Sequence, residues 1–490
     1  MKLHPLSIPY RALSRGASVG LMLFFVGQSL SGNDALPFPL AGPALVTLAA
    51  VGVLAAALWQ VAYYRRFEYE LTDDGLEIAS GVVSRRNREI PLRRIQNVDI
   101  SRNVVQRALG VAVLDLETAG GGGTEASLRY VGYDEAKRLQ REIQRLKRGA
   151  TETGAEATEA GDEREDLLLE LETGELALLS ALQFDFRYLS LLAFGPAAFP
   201  FVPGVAELAV FGGIVLVALL VAALWALSAA VTFARYYGFR LTRVGDELRY
   251  ERGLLQRYDG SIPLAKVQTL TLDANVLMRR FGYTTLAVET AGYGPGQAPS
   301  GGSEAAVPLA TRERVLRLAR EVEDFELPEF SRPPERARTR YAVRFALGLG
   351  ALVGVLWVLW QATGRPVVWY APLLPLGFVV LAPVAAHLKW RHRGYATGEN
   401  HVFTRNGFWT QTTKVVPYYR VQTVIQTGTV FQRRRRLASV VVDTASSAGG
   451  VAAAVDVDAE TAAELREFVA EKLQESLRRR VDESASRNAD

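Results

Sequence analysis

A block of sequence that occurs three times constrains the fold of this chain more than any other feature. The copies begin at Ile90, Ile262 and Val416 and align without a gap. The same or similar residues recur in fixed columns: Pro91, Pro263 and Pro417; Gln96, Gln268 and Gln422; Val104, Val276 and Val430; Arg107, Arg279 and Arg433; Glu117, Glu289 and Asp443; Thr118, Thr290 and Thr444. We call these copies 1, 2 and 3. Such a repeat predicts three similar modules rather than one domain with one site.

Six long stretches contain no Asp, Glu, Lys, Arg or His. They are residues 16–33, 40–64, 188–206, 208–234, 345–364 and 366–386. About 20 apolar residues in a helix span the hydrocarbon layer of a bilayer. Core helices of a soluble protein are the alternative, but these are rarely apolar on all faces over such a length. We therefore predict six transmembrane helices in three pairs, with one pair ahead of each copy.

Basic residues beside these stretches predict the orientation of the chain. Lys2, Arg11 and Arg15 precede the first stretch, while Arg65, Arg66, Arg235, Arg240, Lys389 and Arg391 follow the second, fourth and sixth. Because positive flanks are retained in the cytoplasm, both termini and all three modules are expected there, in a multi-pass protein of the cell membrane. A signal peptide is the alternative for the first stretch, but no convincing small-residue cleavage site follows it.

Each copy contains strand patterns and is followed by an amphipathic helix. Near the end of copy 1, Leu114, Leu116 and Thr118 alternate with Asp115 and Glu117, which is typical of a half-buried strand. Residues 134–148, 311–325 and 458–480 carry apolar side chains at spacings of three and four. The apolar face of such a helix lies either on the sheet of its own module or in a membrane surface, and we expect the sheet. Strands closed by one helix predict a small α+β barrel or sandwich.

A backbone bend is expected inside each copy, between the two strand patterns. Gly110 and Gly282 occupy this column, where glycine allows a bend most easily. Copy 3 has Arg436 there, so its bend is expected to differ.

These patterns divide the chain into nine predicted segments. They are residues 1–64, N-terminus and helices 1 and 2; 65–149, module 1; 150–185, acidic linker; 186–234, helices 3 and 4; 235–325, module 2; 326–340, linker; 341–390, helices 5 and 6; 391–480, module 3; and 481–490, tail.

Two predicted membrane helices, a strand-rich unit with an I-P-x-x-x-[IV]-Q block, a basic turn and an E-T-A-G strand end resemble the bacterial pleckstrin-homology-like membrane proteins of the YdbS/YdbT type. The resemblance covers nearly the whole chain, and the three modules are similar to the larger, YdbT-like members. It implies a membrane α + β fold in which each helix pair is followed by a cytoplasmic PH-like module. Each module would be a seven-stranded, partly open barrel capped by a C-terminal helix. The resemblance implies no catalytic residue.

No catalytic, cofactor or metal site is indicated by the sequence. The four histidines are not paired with a plausible nucleophile, cysteine is absent, and no P-loop or dinucleotide fingerprint occurs. Ionisable residues inside spans usually mark transport paths, and the six stretches contain none, which disfavours a transporter. We expect a non-enzymatic protein without a cofactor.

Basic clusters in the modules are the candidate contacts for a membrane surface or an anion. They are Arg85, Arg86 and Arg88; Arg279 and Arg280; and Arg433, Arg434, Arg435 and Arg436. Near an anionic leaflet each basic side chain contributes about 1 kcal/mol of attraction. The alternative is an ordinary solvated turn, and the two interpretations carry equal weight. Nucleic acid is not an expected partner because the charge is divided among modules without a stacking surface.

Three functions remain open at this stage. The first is a membrane-tethered scaffold that binds an unidentified membrane or cytoplasmic protein. The second is recognition of anionic lipid headgroups at the cytoplasmic leaflet. The third is a component of a membrane export or envelope-maintenance system, which would require a cavity with convergent polar groups.

Overall fold

The computed structural model describes residues 1–31, 42–118, 124–149, 165–183, 205–290, 304–363, 371–445 and 451–487. These residues form two compact units. The first unit contains residues 1–170 and 234–263, and the second contains residues 171–233 and 264–490. Copies 1 and 3 lie wholly in the first and second units respectively, whereas the chain of copy 2 passes from one to the other after Pro263.

Each module contains three strands, a 3₁₀ turn, three further strands with a short helix after the first of them, and one closing helix. We call the first three the front strands and the last three the rear strands. In the structural description, copy 1, 2 or 3 means the whole module that contains that block.

The elements of the first module region are α1 Ser7–Ser31, α2 Gly42–Arg66, β1 Glu68–Leu71, β2 Gly75–Ser80, β3 Arg86–Pro91, β4 Ile95–Asn103, α3 Val104–Ala108, β5 Val111–Thr118, β6 Thr124–Gly132 and α4 Tyr133–Gly149. Those of the second are β7 Asp166–Glu170, α5 Thr173–Leu182, α6 Val205–Tyr236, β8 Arg240–Val244, β9 Glu247–Arg252, β10 Gln256–Pro263, β11 Val267–Asn275, α7 Val276–Phe281, β12 Tyr283–Thr290, β13 Glu304–Thr311 and α8 Arg312–Val322.

The third region comprises α9 Arg336–Thr363, the 3₁₀ helix Ala371–Leu381, α10 Ala382–Arg391, β14 Gly394–Thr397, β15 His401–Asn406, β16 Thr410–Pro417, β17 Val421–Thr427, α11 Val430–Arg433, β18 Leu437–Thr444, β19 Ala452–Asp458 and α12 Ala459–Arg487. Among the described residues, modules 1 and 3 therefore have three plus three strands, which corrects the seven strands that the family resemblance implied. The second region has a seventh strand, β7, which precedes the module and pairs with β8.

The apolar stripes of the closing helices pack on their own modules, as the sequence predicts. Ala136, Leu139 and Ile143 of α4 are buried in one core with apolar residues of the front and rear strands of copy 1. In copy 3, Leu465 and Val469 of α12 enter the equivalent core. Phe468 and Leu477 also belong to the apolar spacing predicted for residues 458–480, and for these two the prediction of burial was wrong, since they are 37% and 48% exposed.

Consecutive copies share β-sheets. In the first unit the strand order β6-β5-β4-β10-β9-β8-β7 joins the rear strands of copy 1 to the front strands of copy 2. In the second unit the order β13-β12-β11-β16-β15-β14 joins the rear strands of copy 2 to the front strands of copy 3. We call these the first and second joints, and both are antiparallel.

Three described helices are long and apolar enough to cross a membrane: Pro43–Arg66, Ala218–Tyr236 and Arg336–Val358. They correspond to the second, fourth and fifth predicted stretches. Of the other three, residues 16–33 fall mainly in α1 but do not meet these criteria, residues 188–204 lie outside the described part of the chain, and residues 366–386 are partly 3₁₀. Six membrane helices in pairs therefore stay a prediction. Within the predicted linkers, strand β7, helix α5 and the first turn of α9 are regular structure.

The bend inside each copy has a left-handed backbone in all three copies. The φ angle is +67° at Gly110, +78° at Gly282 and +51° at Arg436. The expectation that copy 3 bends differently was wrong at this residue, because Arg436 adopts the conformation of its glycine counterparts. A side chain in this region costs roughly 1–2 kcal/mol.

Replacing Arg436 by glycine should therefore stabilise the chain, by up to about 1 kcal/mol after allowance for the greater freedom of glycine in the unfolded state. Thermal unfolding of the purified chain measures the change as a higher midpoint. Arg434→Gly is the matched control, since Arg434 has an ordinary helical φ of −58° in the same turn. A stabilisation by Arg434→Gly equal to that of Arg436→Gly would contradict the assignment of strain to Arg436.

Candidate functional site

The two joints use the same columns of the repeat in the same register. In the first joint, Asn103 of β4 lies opposite Gln256 of β10. In the second, Asn275 of β11 lies opposite Thr410 of β16, and these residues occupy the columns of Asn103 and Gln256. The agreement holds along the strands, since Ser101 pairs with Tyr258 and its counterpart Asp273 with Thr412. The repeat therefore encodes a way of joining modules as well as a module fold.

The repeated arginine column forms part of both joints. Arg107 donates from Nη2 to the carbonyl oxygen of Leu254, at 2.5 Å. Arg279 donates from Nη2 to the carbonyl oxygen of Phe408, at 2.6 Å, and Phe408 occupies the column of Leu254. Each arginine thus fixes the turn between the second and third front strands of the next copy. For Arg279 this is a bond within the protein that the sequence analysis did not predict, although the repeated column was visible.

Buried polar contacts stabilise the second joint. Lys414 of β16 donates from Nζ to Oε1 of Glu289 in β12, at 2.8 Å, and the two side chains are 6% and 1% exposed. Thr271 Oγ1 donates to the same carboxylate at 2.8 Å. Because both charges are buried, each depends on the other to offset the loss of hydration.

The first joint uses different polar groups at the same place. Gln144 of α4 donates from Nε2 to Ser261 Oγ at 3.3 Å, and Ser261 donates to Asn97 Oδ1 at 3.4 Å. Gln140 donates to the carbonyl oxygen of Val98, at 2.8 Å. Lys137 also forms an ion pair with Asp259 across this joint. The polar interior of each joint favours a defined register over loose apolar contact.

The burial of Asp273 predicts that the stability of the second joint depends on pH. Burial raises the pKa of its carboxyl group, although Thr412 Oγ1 donates to it at 2.5 Å. A raised pKa in the folded state means that the stability contribution is full below the ordinary pKa near 4 and is lost as pH rises through the folded-state value. Asp273→Asn should therefore raise the unfolding midpoint at pH 7 and should have less effect near pH 4. An equal change in midpoint at both pH values would contradict this role.

Two strand edges that correspond to the joints have no partner strand among the described residues. In the part of the chain that the structure describes, β17 of copy 3 pairs only with β18, and β3 of copy 1 pairs only with β2. The counterpart strand β11 is almost wholly buried, whereas most of β17 is exposed or half-buried, with Ile425 at 44%. The difference follows from the missing neighbour. We call these two strands the open edges.

The turn helices α3 and α7 and the turn of α11 lie beside the helices that lead into each module. Asn103 Nδ2 donates to Tyr10 Oη of α1 at 3.1 Å, and Asn275 Nδ2 donates to the carbonyl oxygen of Leu182, at the end of α5, at 2.6 Å. In copy 3, Arg336 at the start of α9 donates from Nε to the carbonyl oxygen of Arg435, at 2.9 Å. The basic turn of copy 3 therefore lies at one end of a candidate membrane span.

An apolar pair whose second member is exposed forms the tip of the second front hairpin in every copy. The pairs are Val82 and Val83, Leu254 and Leu255, and Phe408 and Trp409. Their second members are 85%, 62% and 70% exposed. We call these the hairpin tips.

Each hairpin tip contacts the end of the helix that precedes its copy. Arg66 Nη1 donates to the carbonyl oxygen of Val82, at 2.8 Å, and Leu254 N donates to that of Ala234, at 2.7 Å. The rings of Phe408 and His392 are 5.2 Å apart. Apolar and aromatic side chains at the ends of membrane helices are typical of contacts with the headgroup region.

A left-handed residue in the last strand connects copies 1 and 3 to their preceding helices. Tyr130 has φ +71°, and the guanidinium of Arg11 in α1 lies 4.8 Å from the centre of its ring. Asp456, in the same column, has φ +61° and forms ion pairs with Arg340 of α9 and with Arg393, which follows α10. No sequence pattern indicates this contact, because it depends on a bulge in the strand.

The structure separates the three basic clusters. Arg85 precedes the open edge β3, and Arg86 and Arg88 lie on it. Arg280 is exposed on α7, while Arg279 is half-buried in the second joint. In copy 3, Arg433, Arg434 and Arg436 are exposed, whereas Arg435 donates to the carbonyl oxygen of Arg336, at 3.3 Å. Their roles as membrane or anion contacts stay predictions.

Three arginines line a small cavity beside the Phe408–Trp409 tip. The cavity has a volume of about 150 Å³ and its lining includes Arg279, Arg312 and Arg405, with no acidic side chain among the described residues that line it. The side chain of Arg405 stacks on Phe330 with its Nε buried, and burial, with repulsion from Arg312, lowers its pKa to about 10. Convergent cations without a carboxylate suit an anion, and a planar guanidinium suits phosphate oxygens.

Comparisons with known proteins agree with this architecture. A family model described as Bacterial PH domain matches residues 22–147, 197–326 and 344–473. Each stretch runs from a predicted apolar segment to a closing helix. The chain is also similar to the UPF0699 transmembrane protein YdbT of Bacillus subtilis (strain 168), with 25% identity over 431 residues that cover 81% of this chain and 84% of that protein. No solved structure matches the chain.

Proposed function

The chain belongs to the bacterial PH domain family, and from that premise we propose that it is a non-enzymatic membrane-tethered scaffold whose PH-like modules bind protein partners. The shared sheets of the two joints carry this proposal. Because repeated residues join consecutive modules, the surfaces of these modules follow one another in a fixed order along each joint. The open edge of β17 supplies a surface that its counterpart β11 does not leave exposed, and Val430 and Phe431 beside it are exposed as well.

Photocrosslinking tests the scaffold function in native membranes. A photoreactive amino acid at Phe431, which is 70% exposed, should give protein adducts of defined mass. The matched control carries the same group at Glu467, whose side chain is 74% exposed on α12. Absence of protein adducts at Phe431, or the same diffuse adducts at both positions, would contradict a protein-binding role for this surface.

The proposed topology has six membrane helices in three pairs, with both termini and all modules in the cytoplasm of the cell. It is supported by the three candidate spans and by the basic residues at their ends, such as Arg65, Arg66 and Arg235. The chain contains no cysteine, so a single introduced cysteine has no background. An impermeant thiol reagent added to intact cells should label Asp34→Cys and should not label Val83→Cys. The reverse labelling would overturn the orientation.

Recognition of anionic lipid headgroups is the second candidate function, and the hairpin tips favour it. The tips contact the ends of the helices that precede the modules, and the arginine cavity lies beside the third tip. In this proposal the apolar tips enter the headgroup region while Arg279, Arg312 and Arg405 bind a phosphate group. Attraction of basic side chains to anionic lipid supplements the burial of the apolar tips.

An environment-sensitive fluorophore on Val83→Cys or Trp409→Cys tests the lipid contact with the full chain in lipid nanodiscs. Brominated acyl chains should quench the fluorophore at both tips more than at Glu467→Cys. In addition, Arg405→Gln should reduce the number of anionic lipids retained by the purified chain, measured by mass spectrometry. Equal quenching at the tips and the control, with unchanged lipid retention, would exclude this function.

A further inference from the structure

The two open edges, which have no partner strand in the described part of the chain, are the counterparts of the strands that form the joints. Strand β17 occupies the place of β4 and β11, and strand β3 occupies the place of β10 and β16. The first copy therefore carries one half of a joint, strand β3, and the third copy carries the other half, strand β17. Unpaired strand edges pair readily with further strands.

We propose that a second copy of this chain completes a third joint, in which β17 of one molecule pairs antiparallel with β3 of the next. This inference rests on the scaffold function and names its partner at the β17 edge. Such a contact is heterologous, because two different surfaces meet.

The repeat fixes the register of the third joint. Asn103 opposite Gln256 and Asn275 opposite Thr410 define the shared register of the two existing joints. The same columns in the open edges contain Thr429 and Ser84. Thr427 then lies opposite Arg86, just as Asp273 lies opposite Thr412. A shift of one residue would turn every side chain to the other face of the strand.

The open edges are complementary in charge at the place of the buried ion pair. Lys414 and Glu289 form that pair in the second joint. Their columns contain Arg88 on β3 and Asp443 on β18, next to β17. The third joint therefore brings a cation and a carboxylate together in the same arrangement. Arginines on the edge strand β3 discourage pairing with strands that offer no negative charge. Asp443 offers that charge, so the β3 edge is selective for the β17 edge.

The arginines around the open edges are compatible with this joint. The first joint already contains Arg102 opposite Arg257, and Arg257 is paired with Glu251. Arg433 occupies the column of Arg107 and Arg279, so it would donate to the carbonyl oxygen of Val82 in the next molecule. That oxygen accepts one bond from Arg66, and a carbonyl oxygen has two lone pairs.

The joint is also compatible with a membrane. Copies joined within one chain each follow their own apolar segments, so this kind of joint already serves modules that are tethered to a bilayer. The β3 edge of a second molecule in the same bilayer is also part of a module that is tethered to the membrane by its apolar segments. Confinement of both molecules to one membrane raises their effective concentration.

Disulfide formation between two differently tagged molecules tests the third joint. One full-length molecule carries Thr427→Cys and the other carries Arg86→Cys, so a disulfide can form only between molecules. Oxidation of membranes that contain both should give the mixed dimer. Asn87→Cys in place of Arg86→Cys is the register control, and it should give at least tenfold less dimer because its side chain lies on the opposite face. Equal dimer yields from the two partners, or no mixed dimer, would overturn the inference.

Charge exchange supplies a second readout. Asp443→Lys, placed on the Thr427→Cys molecule, should reduce the mixed dimer, and Arg88→Glu on the Arg86→Cys molecule should restore it. Failure of the second change to restore the dimer would contradict the pairing of these columns. Adducts at Phe431 with a different protein, without the mixed dimer, would leave the scaffold function intact and exclude the second copy. Absence of both would exclude both proposals.

Discussion

Replacing Lys414 by methionine should open the second joint, with a loss of about 3–5 kcal/mol in the free energy of local unfolding. Methionine retains most of the apolar stem of lysine but leaves the carboxylate of Glu289, which is 1% exposed, without its cation. Hydrogen exchange at the amides of residues 410–416 measures this change, because local opening limits their exchange. The expected increase in exchange rate is about 10²- to 10⁴-fold, at 1.36 kcal/mol per tenfold.

A double variant separates the ion pair from other effects of the substitution. Lys414→Met combined with Glu289→Met replaces the buried pair by apolar side chains, which is often neutral for stability. Exchange at the same amides should therefore return to within about tenfold of the wild-type rate, while the first joint, at Gln256–Pro263, should be unaffected throughout. Exchange as fast in the double variant as in Lys414→Met would show that Lys414 acts by some means other than Glu289.

Replacing Asp456 by alanine should detach the third module from the helices that precede it. Its carboxylate is fully buried and forms ion pairs with Arg340 and Arg393, whose side chains are 11% and 15% exposed. Gln432 Nε2 also donates to it at 2.8 Å. Removal leaves two largely buried guanidinium groups without a carboxylate, at a cost of about 3–5 kcal/mol. The midpoint of thermal unfolding in mild detergent should fall by roughly 10 °C.

Asp458 on the same strand is the matched control. It forms an ion pair with Arg336, but the two side chains are 36% and 42% exposed. Exposed pairs contribute at most about 1 kcal/mol, so Asp458→Ala should lower the midpoint by only a few degrees. A fall as large as that of Asp456→Ala would contradict the claim that burial gives Asp456 its effect.

Features that depend on neighbouring residues could be predicted from the sequence. The alternation of Leu114, Leu116 and Thr118 is confirmed, since all three are buried. The closing helices were recognised from spacings of three and four, because a helix face is a local property. The left-handed bend of Arg436 was not predicted, because residue type alone favours glycine there while the surrounding fold imposes the conformation.

The joints could not be predicted in the same way. Pairing of β4 with β10, or of β11 with β16, connects residues more than a hundred positions apart, and nothing in the local pattern of a strand names its neighbour. The repeated columns of Arg107 and Arg279 carried a signal, but their carbonyl partners contribute backbone and so leave no trace in the side-chain sequence. For the same reason, the sequence suggests that Arg279 is a contact for a membrane surface or an anion, whereas in the structure it also donates a hydrogen bond to the carbonyl oxygen of Phe408.

Intramolecular disulfides test most directly the central claim that one joint is used twice. In the cysteine-free chain, the pairs Ser101→Cys with Tyr258→Cys and Asp273→Cys with Thr412→Cys occupy one register in the two joints. Oxidation in native membranes should close both pairs. Pairs shifted by one residue, with cysteine at Arg257 or Gln411 instead, should stay reduced because those side chains lie on the other face. Closure of the shifted pairs, or failure of either register-matched pair, would contradict the account.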